Sequence, residues 1–293
     1  ITAYARTFLR HNAGRPYFLW IHYMDPHDPY NPPYAYRDMP TEYAFYPAKP
    51  RISAWDPARK EPDWVKPENK IIIGPERLYA AEVRYVDDML GSLFKLVPPS
   101  TWVIIGADHG EEFLEHGRMS HRNTFYEESI HVPLIVAGPG CVPRRISPPV
   151  SYVNLIPTLA GLTGLEPSAD WQGKNLSGLI WGQDIPGWER PCFAGCNDAT
   201  VVPPSVMVVE GDTKLILNLV DASVELYDLS EDPKEHNNLA AQGVPPEAAS
   251  LKSKAEAWVE DVTESHRKRE APPPLDAEQS EKLRQQFEAL GYL

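Results

Sequence analysis

The sequence predicts an α/β fold: a mainly parallel sheet flanked by helices, followed by a smaller C-terminal α+β part with a short antiparallel sheet. Continuous apolar runs at 17–21 (YFLWI), 101–107 (TWVIIGA) and 132–138 (VPLIVAG) read as strands buried on both faces, the habit of parallel sheets. Segments with apolar residues at helical spacing separate these runs. After about residue 185 the pattern turns into short strands and polar helices. The expected organisation is a core segment 1–190 and an appendage 191–293.

In chain order, the stretch starting on Ile1 reads as a helix running into the first strand. Residues 29–75 form a proline-rich excursion with Trp and Tyr, and 76–97 (ERLYAAEVRYVDDMLGSLFKLV) an amphipathic helix. The second and third strands follow, and then 151–164 (SYVNLIPTLAGLTG), a helix stopped by glycine. Residues 205–230 read as an antiparallel meander with a Gly-Asp turn. A polar helix near 246–264, the linker SHRKREAPPPLD and a last helix from 277 complete the chain.

Composition removes several function classes. With 28 Lys and Arg against 41 Asp and Glu, the formal net charge of −13 disfavours a general nucleic-acid or anionic-membrane surface, since both need a positive field. No apolar run reaches the roughly 18 residues of a membrane span. The opening ITAYARTFLRHNAGRPYF lacks the regions of a secretory signal and an initiator Met, so the chain reads as beginning mid-domain. Cys141, Cys192 and Cys196 make no disulfide framework, and the two in PCFAGC read as small packed residues.

Chemistry concentrates after two of the apolar runs. In TWVIIGADHGEEFLEHGRMSH, residues 101–121, Asp108 and His109 directly follow a strand, where open α/β sheets place their sites. Gly110 lets the backbone turn away and leaves both side chains at the rim. A carboxylate with an imidazole suits Ca2+, Mg2+, Mn2+ or Zn2+. An isolated Asp-His would be read as a turn cap and a rim histidine. Here His116 and His121 follow, and His22, Asp25 and His27 mirror them in YFLWIHYMDPHDPYNPP, which favours a site. Pro26 and Pro29 stiffen the turn that presents His27, with Asp25 and Asp28 as its Asx-Pro residues; His22 reads as a packing or supporting histidine.

HYMDPHDPY, AEVRYVDDMLGSL, ADHGEEFLEHG…H…FYEESIHVPLIVAGPG, NLIPTLAGLTGL, GKNLSGLI, ELYDLSEDPKEHNNLA and the terminal LGYL resemble, in that order, the C-terminal portion of a sulfatase of the alkaline phosphatase superfamily. The resemblance spans essentially the whole chain. It implies an alkaline-phosphatase-like fold, one divalent cation with Ca2+ the foremost candidate, and a formylglycine nucleophile from a C/S-x-P-S-R motif expected upstream. It further implies that Asp108 and His109 are metal ligands and that His27 and His121 act on the ester. His121 stands where many members carry lysine, which bears on its charge at neutral pH. The implied activity is metal-assisted hydrolysis of a sulfate ester, on a small molecule or a sulfated glycan, in a periplasmic or secreted protein. The alternatives are a phosphonate or phosphate-ester hydrolase or phosphotransferase on the same scaffold, or a non-catalytic fragment or binding module.

CVPRR at 141–145 has the spacing of the nucleophile motif, with Arg144 in place of Ser. It runs into ISPPVSY, which cannot start the helix that would stabilise an anion there, so Cys141 is read as a loop residue.

Overall fold

A computed structural model describes residues 1–37, 75–121, 124–196, 204–246, 248–268 and 276–289. Most of the expected excursion 29–75 and the terminal LGYL lie outside these residues. The chain forms two compact units, residues 1–99 with 271–293, and residues 100–270. The composition change near residue 190 falls inside the second.

In the first unit, α1 (Thr2–His11) buries Ala5 and Leu9, and its last turn carries Arg10 and His11, favourable at a helix C-terminus. A short α2 (Tyr34–Arg37) precedes α3 (Pro75–Phe94), which buries Leu78, Ala81, Glu82 and Leu93. Ala5, Leu9 and Leu93 make the unit's core with Tyr17, Leu19, Ile21 and Tyr23 against it. The expected first strand needs correction. Among the described residues 17–21 joins no ladder, and Phe18 and Trp20 are 80% and 74% exposed. Only the alternate face, carrying Tyr17, Leu19 and Ile21, packs on helices.

In the second unit, β1 (Val103–Gly106) pairs with β4 (Leu134–Ala137). Between them lie β2 (Glu112–Phe113), β3 (Met119–Ser120) and the one-turn α4 (Glu127–Ile130). The pairing of β1 with β4 is antiparallel, against the parallel expectation; the intervening segment doubles back through a hairpin and has no crossover helix of the length parallel neighbours need. A 3-10 turn at Tyr152–Asn154 leads into α5 (Leu155–Thr163), which ends on Gly164 at φ 73°. That left-handed cap is why the apolar period stops there. The short α6 is Ser177–Ile180.

The rest of the second unit is a four-stranded antiparallel sheet in the order β5 (Cys192–Cys196), β6 (Ser205–Glu210), β7 (Thr213–Asn218), β8 (Val224–Asp228). Glu210 opposite Thr213 leaves Gly211-Asp212 as a two-residue hairpin turn, with Gly211 at φ 59°. Both faces are covered. Val206, Val208, Leu215, Leu217 and Leu226 pack with Leu251 and Ala255 of α7 (Ala248–Lys268). Met207, Val209, Ile216 and Tyr227 pack with Phe125, Tyr126 and Ile130. The sheet therefore anchors α4, the element on which the Asp108 loop rests. The last helix, α8 (Ala277–Ala289), opens with a reciprocal cap in which Asp276 Oδ1 accepts from Gln279 N at 2.7 Å and Gln279 Oε1 accepts from Asp276 N at 3.2 Å. No helix among the described residues is long and apolar enough to cross a membrane.

Candidate active site

The loop after β1 is fixed at both ends. Ala107 N donates to the Tyr152 hydroxyl at 3.1 Å, and that hydroxyl donates to Pro133 O at 3.2 Å, tying the carboxyl end of β1 to the chain entering β4. Gly110 N donates to Ser129 O at 2.8 Å and Glu111 N to Glu128 O at 2.9 Å, so the loop lies against α4. A Cβ at position 110 would sit 2.0 Å from Glu128 O, so this approach admits only glycine.

Asp108, His109 and His121 come together here. His109 Nδ1 lies 2.8 Å from Gly110 O, and because a carbonyl can only accept, Nδ1 carries the proton. Nε2 is then the lone-pair nitrogen of the neutral ring, 3.7 Å from Asp108 Oδ2. The His121 ring stacks on His109 with centroids 3.7 Å apart and planes 19° from parallel. Glu111 Oε1 is 3.1 Å from His121 Nδ1, and the two side chains are 2% and 6% exposed. A buried carboxylate thus orients the imidazole of His121. Sequence reading passed over Glu111; its place two residues after His109 in DHGEE was the available signal, but nothing local names its partner ten residues on.

His116 sits apart from this pair. Nε2 is 3.1 Å from Glu235 O and Nδ1 is 2.6 Å from Glu128 Oε1. Nε2 must donate, and Nδ1 donates as well once the ring is charged. Burial acts to lower the His116 pKa but is outweighed by the hydrogen bonds to Glu128 and Glu235 and by the charges of Glu128 and Glu112, so the balance is upward. Glu112, His116 and Glu128 bring ligand atoms within 4.8 Å of one another, a metal-like grouping. Both His116 nitrogens already face oxygen acceptors, and Glu112 Oε1 accepts from His116 N at 3.1 Å and Arg118 N at 2.8 Å, while Glu112 Oε2 is buried with no hydrogen-bond partner. The short His116–Glu128 contact locks the loop to α4.

A second lock joins α4 to the sheet. Lys214 of β7 is fully buried, with Nζ 2.6 Å from Glu235 Oε1 and 3.0 Å from Glu127 Oε1. Glu127 N donates to Glu235 Oε2 at 2.6 Å.

His27 belongs to the first unit. Its Nδ1 lies 2.8 Å from Asp28 O and 3.2 Å from Asp28 Oδ1, and its backbone N donates to Met24 O at 3.0 Å. The turn therefore sets the tautomer, leaving Nε2 as the nitrogen that can exchange a proton. Asp25 and His22 are half-buried in the same unit. Further along, Asn31 N donates to Glu82 Oε1 of α3 at 2.7 Å, a partner that sequence reading did not foresee.

Cys141 follows β4 in a loop, its thiol donating to Val136 O at 3.6 Å, and no helix begins before Tyr152. Cys192 and Cys196 are free and half-buried on β5.

A divalent cation is implied by the resemblance, and the Asp108–His109 pair fits one. The carboxylate and the lone-pair nitrogen converge at 3.7 Å, within reach of a single ion bonding at about 2.0–2.6 Å. The carbonyl behind Nδ1 is the customary support of a ligating histidine.

The chain is similar to several known sulfatases. The chain is 29% identical over 245 residues to the uncharacterized sulfatase YidJ of Escherichia coli, covering 78% of this chain and 47% of that protein. It is 29% identical over 249 residues to the choline-sulfatase of Rhizobium meliloti, with the same 78% and 47%. The structure of a 2-O GAG sulfatase superposes with a TM-score of 0.53 at 27% identity, over 66% of this chain and 44% of that one. The chain spans about half the length of the curated relatives it matches. The model of the N-sulphoglucosamine sulphohydrolase C-terminal region matches residues 114–263, and that of the sulfatases matches residues 1–165, more than half of the 293. The chain belongs to the sulfatase family.

Proposed function

We propose that this chain supplies the Asp108–His109–His121 part of a centre that hydrolyses sulfate esters. The reading is carried by the convergence of Asp108 Oδ2 and His109 Nε2 at 3.7 Å beneath a stacked, carboxylate-held His121. Asp108 and His109 hold a divalent cation, Ca2+ first, which when bound polarises the oxygens of the ester. His121, its Nδ1 held by Glu111, contacts the substrate oxygens. The resemblance assigns His27 a role toward the ester as well, and within its own unit the ring is held through Nδ1 by Asp28 O at 2.8 Å. The nucleophile is a formylglycine contributed from outside this sequence, which contains no C/S-x-P-S-R motif. Similarity to a 2-O GAG sulfatase supports a sulfated glycan as the substrate class.

Turnover of an activated aryl sulfate by the full-length protein tests this. Asp108→Ala and His27→Ala should each lower kcat/KM by at least about a hundredfold with the fold retained. Wild-type rates in both would refute the proposal.

A further inference from the structure

We propose that Glu82 is a positioning residue for His27, seating the 25–37 segment on α3 through the Asn31 amide. This rests on the proposed role of His27. Glu82 is 4% exposed on a helix face otherwise lined by Leu78, Ala81 and Leu93, where a carboxyl is out of place unless it is used. Its Oε1 accepts from Asn31 N at 2.7 Å, while Oε2 is buried with no hydrogen-bond partner. An apolar residue would serve the core of this unit better, so the carboxyl is accounted for by what it holds.

What it holds is stiff. Asn31 lies four residues beyond His27, and Pro29, Pro32 and Pro33 fix φ through the stretch between and after them. Arg37 closes the segment, with Nη2 donating to Asn31 Oδ1 and Nε to Pro32 O at 2.7 Å. Tyr30 packs edge-on against Tyr79 of α3 with centroids 5.9 Å apart. A displacement at Asn31 is therefore passed back to the His27 turn and not absorbed in a slack loop. The charges bearing on Glu82 are those of Asp25 and Arg37, opposite in sign.

The test uses the full-length protein and an activated aryl sulfate, with Glu82→Leu, Glu82→Gln and His27→Ala. Leu removes the acceptor and keeps the packing; Gln keeps an acceptor oxygen for Asn31. In Glu82→Leu we expect the Asn31 amide to exchange at least about tenfold faster while α3 amides stay protected. Its kcat should fall at least about tenfold with KM within about twofold, and Glu82→Gln should restore both readings. Should the Leu variant not fold, Glu82→Ala is measured the same way. Wild-type kcat without the acceptor, or an Asn31 amide that stays protected, overturns the inference. An active His27→Ala would sink the reading of His27 itself; an inactive His27→Ala beside an active Glu82→Leu sinks only the role of Glu82.

Discussion

Glu82 also makes a quantitative prediction about stability. Burial, with a smaller push from Asp25, raises its pKa from 4.5 to about 8, against the opposing pull of the Asn31 hydrogen bond and of Arg37. An acid whose pKa is higher in the folded state is stable there as the neutral form, so the fold loses stability as pH rises above 4.5 and the loss saturates above about 8. At about 1.36 kcal/mol per pH unit, linkage gives a loss near zero at pH 4, about 3 kcal/mol at pH 7 and about 4–5 kcal/mol above pH 8.5. We predict that Glu82→Gln, which cannot ionise, is stabilising by these amounts, less about 1 kcal/mol for an amide group left without a partner. Urea unfolding of both proteins at pH 4.5, 7 and 8.5 measures it. A stability difference that stays constant across the three values would refute the reasoning.

Three further predictions follow from the second unit. Lys214→Met leaves Glu127 and Glu235 facing each other in the interior and should cost about 3–5 kcal/mol by denaturant unfolding; adding Glu127→Gln and Glu235→Gln should recover most of it. No recovery would mean that the ion triad is not the source. The raised pKa of His116 contributes stability that is fully present below about 6.5 and is lost as pH climbs through the higher folded value. His116→Gln should therefore be destabilising at pH 6 and converge on wild type at alkaline pH, and an equal difference at both would contradict the charged pair. Finally, the 293-residue chain alone should not turn over an aryl sulfate; metal-dependent turnover abolished by Cys141→Ala would make Cys141 the nucleophile.

What the sequence made legible was local. α3, α5 and α7 announce themselves by period, α5 also by Gly164 at its end, and the β6–β7 hairpin by Gly211-Asp212 between alternating strands. Apolar runs located β1 and β4 but carry no direction, which is why their antiparallel pairing was missed. The run at 17–21 shows the same gap, since its composition fits a covered strand while Phe18 and Trp20 stand exposed. Asp108 and His109 were singled out because they are adjacent, follow a strand and have further histidines close by in sequence. Long-range polar contacts were not legible: Glu111 meets His121 across a hairpin, Glu82 meets Asn31 across 51 residues, and Lys214 meets Glu127 across 87. Each is a charged residue that sequence alone would leave on the surface.

The most direct test of the account is the cation itself. Isothermal titration of Ca2+ into chelator-stripped full-length protein should give one site per chain, with Asp108→Ala weakening it by at least about a hundredfold at unchanged circular dichroism, since a lost ligand should cost no less than the 10–100-fold of a lost supporting residue. His109→Ala should do the same, whereas Glu128→Gln in the neighbouring ion-pair lock should leave the affinity within about threefold, since no ligand is removed. If Asp108→Ala and His109→Ala bind as wild type does while Glu128→Gln does not, the cation belongs to the Glu112–His116–Glu128 group, and the site proposed at Asp108 and His109 is wrong.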